Sequence, residues 1–293
     1  KGVELTAQSK FVEANGVKLH YLEWASDGPP LVTTHGTGMM GAAWMPVAQY
    51  LAPHYRVIAL DMRGHGDSEK PDWGYTWGTL GKDFACFLEA LDLQRALVVG
   101  HSRGGSCVIM GAQQCAQRLA GVMLIEPSIL MRRPEEIGAS TAGPRSLEMA
   151  EQARRRRAVF SSREEAFDSY RDRGMFKGWP DENLRLYLQH ALADRTDGQV
   201  ELKCPPEIEA RFYTAPVETD VREAAGHFRC PLMLVWGQSA ERFNPTLPLV
   251  AEFISMTNCQ TAQAPGGHFM IMQHPKAVAQ LILEFGRSIG LAG

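Results

Sequence analysis

Ala96-Leu97-Val98-Val99-Gly100-His101-Ser102-Arg103-Gly104-Gly105 is the stretch whose reading decides the fold. The four leading residues read as a short buried strand. Gly100-His101-Ser102-Arg103-Gly104 is then a G-x-S-x-G pattern lying between that strand and a helix-like segment. A serine on so sharp a turn sits in strained backbone, and glycines two places to either side let the flanking segments pass closely. The turn lifts the hydroxyl off the sheet edge toward a cleft. The start of the following helix offers backbone N–H groups to a developing oxyanion. The alternative, a plain small-residue strand–helix turn, is disfavoured because both flanks match the pattern.

Working outward, Phe11-Val12-Glu13-Ala14 and Val17-Lys18-Leu19-His20-Tyr21 alternate in polarity about Asn15-Gly16, which predicts a β-hairpin. Pro30–Thr34 and Tyr55–Leu60 read as buried strands with a helix-like segment, Ala42–Leu51, between them. A glycine-rich loop follows Asp61. Helices are predicted over Trp77–Leu91 and Ser106–Leu119, and strands over Leu97–Gly100, Gly121–Ile125, Pro231–Trp236 and Gln260–Ala264. A closing amphipathic helix covers His274–Ile289. Strands alternating with helices imply a mostly parallel sheet covered on both faces.

Residues 129–229 break this rhythm. They are charge-rich, poor in strand-like runs, and turn at Pro180 and Pro205-Pro206. The segment reads as a helical insertion over the strand ends, a lid, with 1–128 and 230–293 forming the core domain. Arg154-Arg155-Arg156-Arg157 lies within it. Glu148, Glu151, Glu164 and Glu165 flank the run, so a solvated helix face is favoured over a nucleic-acid patch.

Composition narrows the class. The chain has 293 residues, 45% of them hydrophobic, with a net charge of −3, which suits one large core and gives no general case for nucleic acid or anionic membrane. No apolar run approaches the roughly 20 residues that span a bilayer. The six cysteines are scattered without a C-x-x-C pair, pointing to a reducing, cytoplasmic setting. Nine histidines show no metal-binding spacing, and no phosphate-cradling glycine motif is present, so neither metal nor other cofactor is expected.

Nucleophilic acyl chemistry needs a serine, a histidine base, an acid to orient the base, and oxyanion donors. Ser102 is the serine. His268, in the late glycine-framed run Pro265-Gly266-Gly267-His268-Phe269, is the base.

With these motifs in view, the chain resembles the α/β-hydrolase superfamily over nearly its whole length. The resemblance rests on His35-Gly36-Thr37-Gly38, Asp61-Met62-Arg63-Gly64-His65-Gly66-Asp67-Ser68, the serine turn and Gly267-His268. It implies an eight-stranded, mostly parallel sheet, helices on both faces, and a helical cap inserted after the sixth strand. It implies an oxyanion hole from the backbone N–H groups of Thr37 and Arg103. His35, His65 and Asp67 are implied to be structural.

The acid departs from the common pattern. Most relatives carry an aspartate three residues after the glycine ending the strand beyond the cap. Here that strand ends at Gly237, and the third residue on is Ala240, with Glu241 displaced by one. The favoured acid is Glu126, at the end of the sixth strand and followed by Pro127, with Glu241 as the alternative. A minority of the superfamily, certain lactonases, esterases and dehalogenases among them, places its acid after the sixth strand.

Pocket candidates are Met39, Met40, Trp44, Leu130, Phe243, Phe269 and Met270, with Phe160, Phe176 and Trp179 from the cap. They suit a small-molecule substrate with an apolar acyl or aromatic part. The Arg103 side chain either attracts a substrate carboxylate or pairs with a cap acid, and pairing is favoured. The expected activity is a cofactor-free serine hydrolase of a carboxylic ester or lactone, as monomer or homodimer. A C–C bond hydrolase of ring-cleavage products, a cofactor-free dioxygenase and a non-enzymatic hydrolase-fold receptor rank lower.

Overall fold

The computed structural model describes residues 6–132, 136, 142–217, 220–240 and 243–291. The chain opens with the hairpin β1 (Gln8–Ala14) and β2 (Val17–Trp24), whose turn residues Asn15 and Gly16 adopt φ values of 49° and 71°. That left-handed pair matches the twist of the strands it joins. β3 (Pro30–Thr34), α1 (Met45–Leu51), β4 (Arg56–Leu60), α2 (Trp77–Ala90), β5 (Ala96–His101), α3 (Arg103–Cys115) and β6 (Leu119–Ile125) follow. α3 starts at the residue after Ser102, three earlier than the sequence reading placed it, because the elbow leads directly into the helix.

Between β6 and β10 (Leu232–Gly237) the chain forms α4 (Pro144–Arg154), β7 (Val159–Phe160), α5 (Arg163–Tyr170), α6 (Asp181–Ala191), β8 (Leu192–Asp194), β9 (Val200–Leu202), α7 (Pro206–Thr214) and α8 (Val221–Ala225). α9 (Pro248–Thr257), β11 (Gln260–Ala264), α10 (Met270–Gln273) and α11 (Pro275–Ser288) complete it. The main sheet has eight strands in the order β1-β2-β4-β3-β5-β6-β10-β11. β2 is antiparallel to both neighbours and the remaining pairs are parallel. This is the α/β-hydrolase architecture that the motifs imply.

Alternate residues of the buried strands feed two cores. Leu31, Val57, Leu97, Val99, Met123 and Val235 pack on the α1 and α11 side. Val32, Ile58, Val98, Val122, Leu124 and Leu234 pack toward α2, α3 and α9. Because both faces are covered, these strands read as continuous apolar runs.

The inserted segment is not wholly helical. β7, β9 and β8 make a three-stranded antiparallel sheet. Strands of two and three residues are too short to show period-two alternation, which is why the sequence reads as strand-poor there. Phe160, Phe167, Phe176, Trp179 and Tyr187 of this segment join the α1–α11 core. No described helix is long and apolar enough to cross a membrane.

Candidate active site

Ser102 sits at φ 53°, ψ −117°, between the end of β5 and the first turn of α3. A side chain rarely adopts this conformation, so it persists because its surroundings over-determine it. The Ser102 amide continues the β5–β6 ladder, donating to Ile125 O at 2.9 Å. The glycines are sterically required: a Cβ at Gly100 would lie 2.5 Å from Gly105 Cα, and one at Gly104 would lie 2.6 Å from Thr34. Ser102 is 9% exposed.

The loop after β11 brings His268 to this serine. Gly266, at φ 91°, turns the chain, and the Gly267 N–H donates to Gln273 Oε1 at 2.9 Å. His268 Nε2 lies 3.1 Å from Ser102 Oγ, and its Nδ1 lies 2.6 Å from Glu126 Oε2. Glu126 is fully buried at the end of β6, with φ 44°, and its other oxygen accepts the Gly237 N–H at 2.8 Å. An acceptor at Nδ1 places the His268 proton there and leaves Nε2 free to accept from the hydroxyl. The arrangement can move a proton from Oγ to imidazole while a carboxylate steadies the resulting charge. Of the two acids considered, Glu126 meets His268. Glu241 lies outside the described residues.

Two carbonyls orient the Thr37 and Arg103 amides. A trans peptide points its C=O and N–H to opposite sides. Gly36 O accepts from Met39 N–H at 3.1 Å and from His35 Nδ1–H at 2.8 Å, which turns the Thr37 N–H the other way. Ser102 O accepts from Ser106 N–H, Ser106 Oγ–H and Ser128 N–H, each at 3.1 Å, which does the same for the Arg103 N–H. As the first residue of α3, Arg103 has no amide partner within its helix. Gly36 lies directly against the serine, since a Cβ there would be 3.3 Å from Ser102 Cβ.

Three buried imidazoles support these loops. His35 Nε2 accepts the Met62 N–H at 2.9 Å. His65 Nε2 accepts the Gly38 N–H at 3.0 Å, so its Nδ1–H donates to Arg63 O. His101, for which the sequence suggests no role, donates Nε2–H to His268 O at 2.7 Å and holds the base from its backbone side. Burial lowers the pKa of all three. It drives His65 and His101 well below the ordinary imidazole value, and neighbouring imidazoles add to that. Asp61 holds the next loop through Gly41 N–H, Asp67 N–H and His20, and Lys203 pairs with Asp67. The donor atoms of His20, Asp61 and Asp67 lie close enough for a metal ion, but these bonds already engage the cluster.

Arg103 departs from the favoured pairing with a cap acid. Its guanidinium is buried against the Trp77 ring, 3.5 Å from the centroid, and donates to Phe212 O. No carboxylate pairs with it among the described residues, and burial lowers its pKa to about 9. The arginine run is also only partly a solvated face. Arg154 pairs with Glu207, Arg155 with Glu151 and Arg157 with Glu165. Arg156 instead turns inward onto Glu209 at 2.8 Å and the hydroxyls of Tyr170 and Tyr187, each at 3.3 Å. The chain bends just past α4, and of the four neighbours Arg156 alone turns to the interior. Glu209 and Tyr187 stand 53 and 31 residues away, so no local spacing announces the network.

Among the pocket candidates, Met39, Trp44 and Met270 are fully buried in the α1–α11 core, together with Phe160, Phe176 and Trp179. Leu130 and Phe243 belong to the opposite core. Phe269 is partly buried, 5.0 Å from the His268 ring and 5.9 Å from that of Trp179.

Comparison with known proteins follows the same lines. A non-heme chloroperoxidase of Streptomyces lividans is 40% identical over 94 residues, which is 31% of this chain and 34% of that protein. A 2-hydroxy-6-oxo-6-(2'-aminophenyl)hexa-2,4-dienoic acid hydrolase of Metapseudomonas resinovorans is 40% identical over 101 residues, 33% of this chain and 34% of that protein. The matched stretches thus span about a third of these curated relatives. The crystal structure of E-2-(acetamidomethylene)succinate hydrolase superposes with a TM-score of 0.78 at 21% identity, covering 96% of this chain and 99% of that one. The serine elbow, the histidine after the last strand and six of the eight sheet strands, β3 to β6, β10 and β11, lie in or at the edge of residues 31–281, which match the model of the alpha/beta hydrolase family, and to that family this chain belongs.

Proposed function

We propose that this protein is a serine hydrolase that cleaves a carboxylic ester or lactone through an acyl-enzyme on Ser102, without a cofactor. The observation that carries the reading is the continuous relay from Ser102 Oγ through the His268 ring to Glu126, with links of 3.1 and 2.6 Å. Ser102 Oγ attacks the carbonyl carbon as His268 Nε2 takes its proton. The Thr37 and Arg103 N–H groups receive the oxyanion. Collapse expels the alcohol, which takes the proton from His268. Water then attacks the acyl-enzyme by the same route and releases the acid. Residues 129–229 act as the lid, and Phe269, Trp179 and Phe176 line an apolar acyl or aromatic subsite, with Met39 and Trp44 behind it; Leu130, in the opposite core, is not part of it.

The test is fluorophosphonate labelling read by intact mass, followed by a p-nitrophenyl ester chain-length series. One phosphonyl adduct is expected, absent in Ser102→Ala. An unlabelled wild type would sink the nucleophile assignment. The Metapseudomonas resinovorans relative favours a second reading, hydrolysis of a C–C bond in a ring-cleavage product. Turnover of a vinylogous diketone acid with no turnover of any ester in the series would replace the first reading with the second.

A further inference from the structure

We propose that Tyr187, on α6, is a positioning residue for the oxyanion loop, holding Gly38 and with it the neighbouring peptide that presents the Thr37 N–H. The inference rests on the assignment of Ser102 and the Thr37 amide made above.

Gly38 follows Thr37 and has φ 75°, backbone that an ordinary side chain would resist. Its two polar groups are held by different parts of the molecule. The core takes its N–H, through His65 Nε2 at 3.0 Å. The inserted segment takes its C=O, through the Tyr187 hydroxyl at 2.8 Å, from 149 residues away. A Cβ at Gly38 would lie 2.8 Å from Glu209 Oε1 and would have to displace that carboxylate. The most pliable residue of the loop is therefore pinned from both sides, next to the peptide that presents the Thr37 N–H.

The phenol is committed to this bond. Arg156 Nη2 donates to the Tyr187 oxygen at 3.3 Å, which leaves the hydroxyl proton for Gly38 O. A cationic donor behind a hydroxyl strengthens the proton it offers. Arg156 is itself fixed by Glu209 and by the Tyr170 hydroxyl. Tyr187 is 1% exposed, and burial pushes its pKa up to about 12, so it remains a donor throughout the neutral range. The bond holds the loop and not the substrate, so it acts on the chemical step more than on binding.

The test compares wild type, Tyr187→Phe and Arg156→Lys on p-nitrophenyl acetate, the ester with the shortest acyl group in the series. Tyr187→Phe should lower kcat about ten- to a hundredfold, with KM within about threefold. The rate of Ser102 phosphonylation should fall in parallel, because the phosphonyl oxygen occupies the same hole. Arg156→Lys keeps the hydroxyl but weakens its polarisation, so a smaller loss of the same kind is expected. That variant decides the matter if Tyr187→Phe does not fold. Unchanged kcat, or a raised KM at unchanged kcat, overturns the proposal and leaves Tyr187 a packing or substrate-contact residue. A wild type that does not label at all fails earlier, at the nucleophile.

Discussion

The Gly237 N–H and the Glu126 carboxylate meet across the β6–β10 seam at 2.8 Å, so one oxygen of the acid is anchored to backbone before the other reaches His268. The anchor sits at the end of β10, near the place where the family's usual aspartate would start. Glu126 is thus held by the strand that would otherwise supply the acid.

Substituting Glu126→Gln should keep this anchor, because the amide oxygen can still accept from Gly237. The amide nitrogen cannot accept from His268 Nδ1–H, and the ring loses its orienting partner. The expected loss is about 10³ to 10⁴ in kcat on a generic ester, with a thermal midpoint close to wild type. Near wild-type turnover would return the acid's role to another residue.

Ser102 carries backbone strain at the elbow. At φ 53°, ψ −117°, glycine should be more comfortable than serine or alanine. Ser102→Gly should therefore melt about 1–3 °C above Ser102→Ala, roughly the effect of 1 kcal/mol in a chain of this size, with both inactive. Calorimetry of the two variants side by side checks this, and equal midpoints would argue against strain at the elbow.

Acid should destabilise the fold before carboxylates begin to titrate. His35, His65 and His101 are buried neutral, with folded pKa values lowered by burial. Below the unfolded value of about 6.5 the unfolded chain binds protons that the folded chain refuses, so stability is full above that pH and falls beneath it. Each ring contributes a slope of up to about 1.4 kcal/mol per pH unit until it protonates in the folded state. Urea titrations between pH 7.5 and 5 should show the decline, and a flat profile would contradict the three assignments.

The Arg103 side chain and its amide can be separated. Arg103→Met keeps the N–H that faces the serine and removes a buried guanidinium that has no acid partner among the described residues. Replacing a buried charge with an apolar chain of similar volume is commonly neutral or stabilising. Activity on neutral esters should stay within about threefold, with the melting point held or raised. A selective loss on esters bearing a free carboxylate would instead mark the side chain as a substrate contact.

Much of this was readable from local pattern. The elbow needs strand, serine and glycines in immediate succession, and β10 and β11 are apolar or short runs bounded by turn residues. Glu126 stood out because it closes a buried strand just before Pro127, while Ala240 occupies the competing position. What escaped is what long-range packing decides. The tie from Tyr187 to Gly38 crosses 149 residues, and the burial of Arg156 amid three exposed arginines depends on which neighbour faces α6 and α7. Arg103 misled for another reason: a cation next to a serine suggests an ionic partner, whereas the structure gives it an indole face and a carbonyl.

The place of Glu126 also bears on how the chain becomes active as it folds. The proposed nucleophile, Ser102, and the proposed acid, Glu126, stand at the ends of adjacent parallel strands joined by a single crossover, α3. Pairing β5 with β6 therefore aligns two of the three groups within one β-α-β unit, at low loop-closure entropy. His268 arrives from 142 residues beyond Glu126, once β10 and β11 have docked. Recovery of the proposed ester hydrolysis in refolding should accordingly lag the formation of the central strands and track the attachment of the last two.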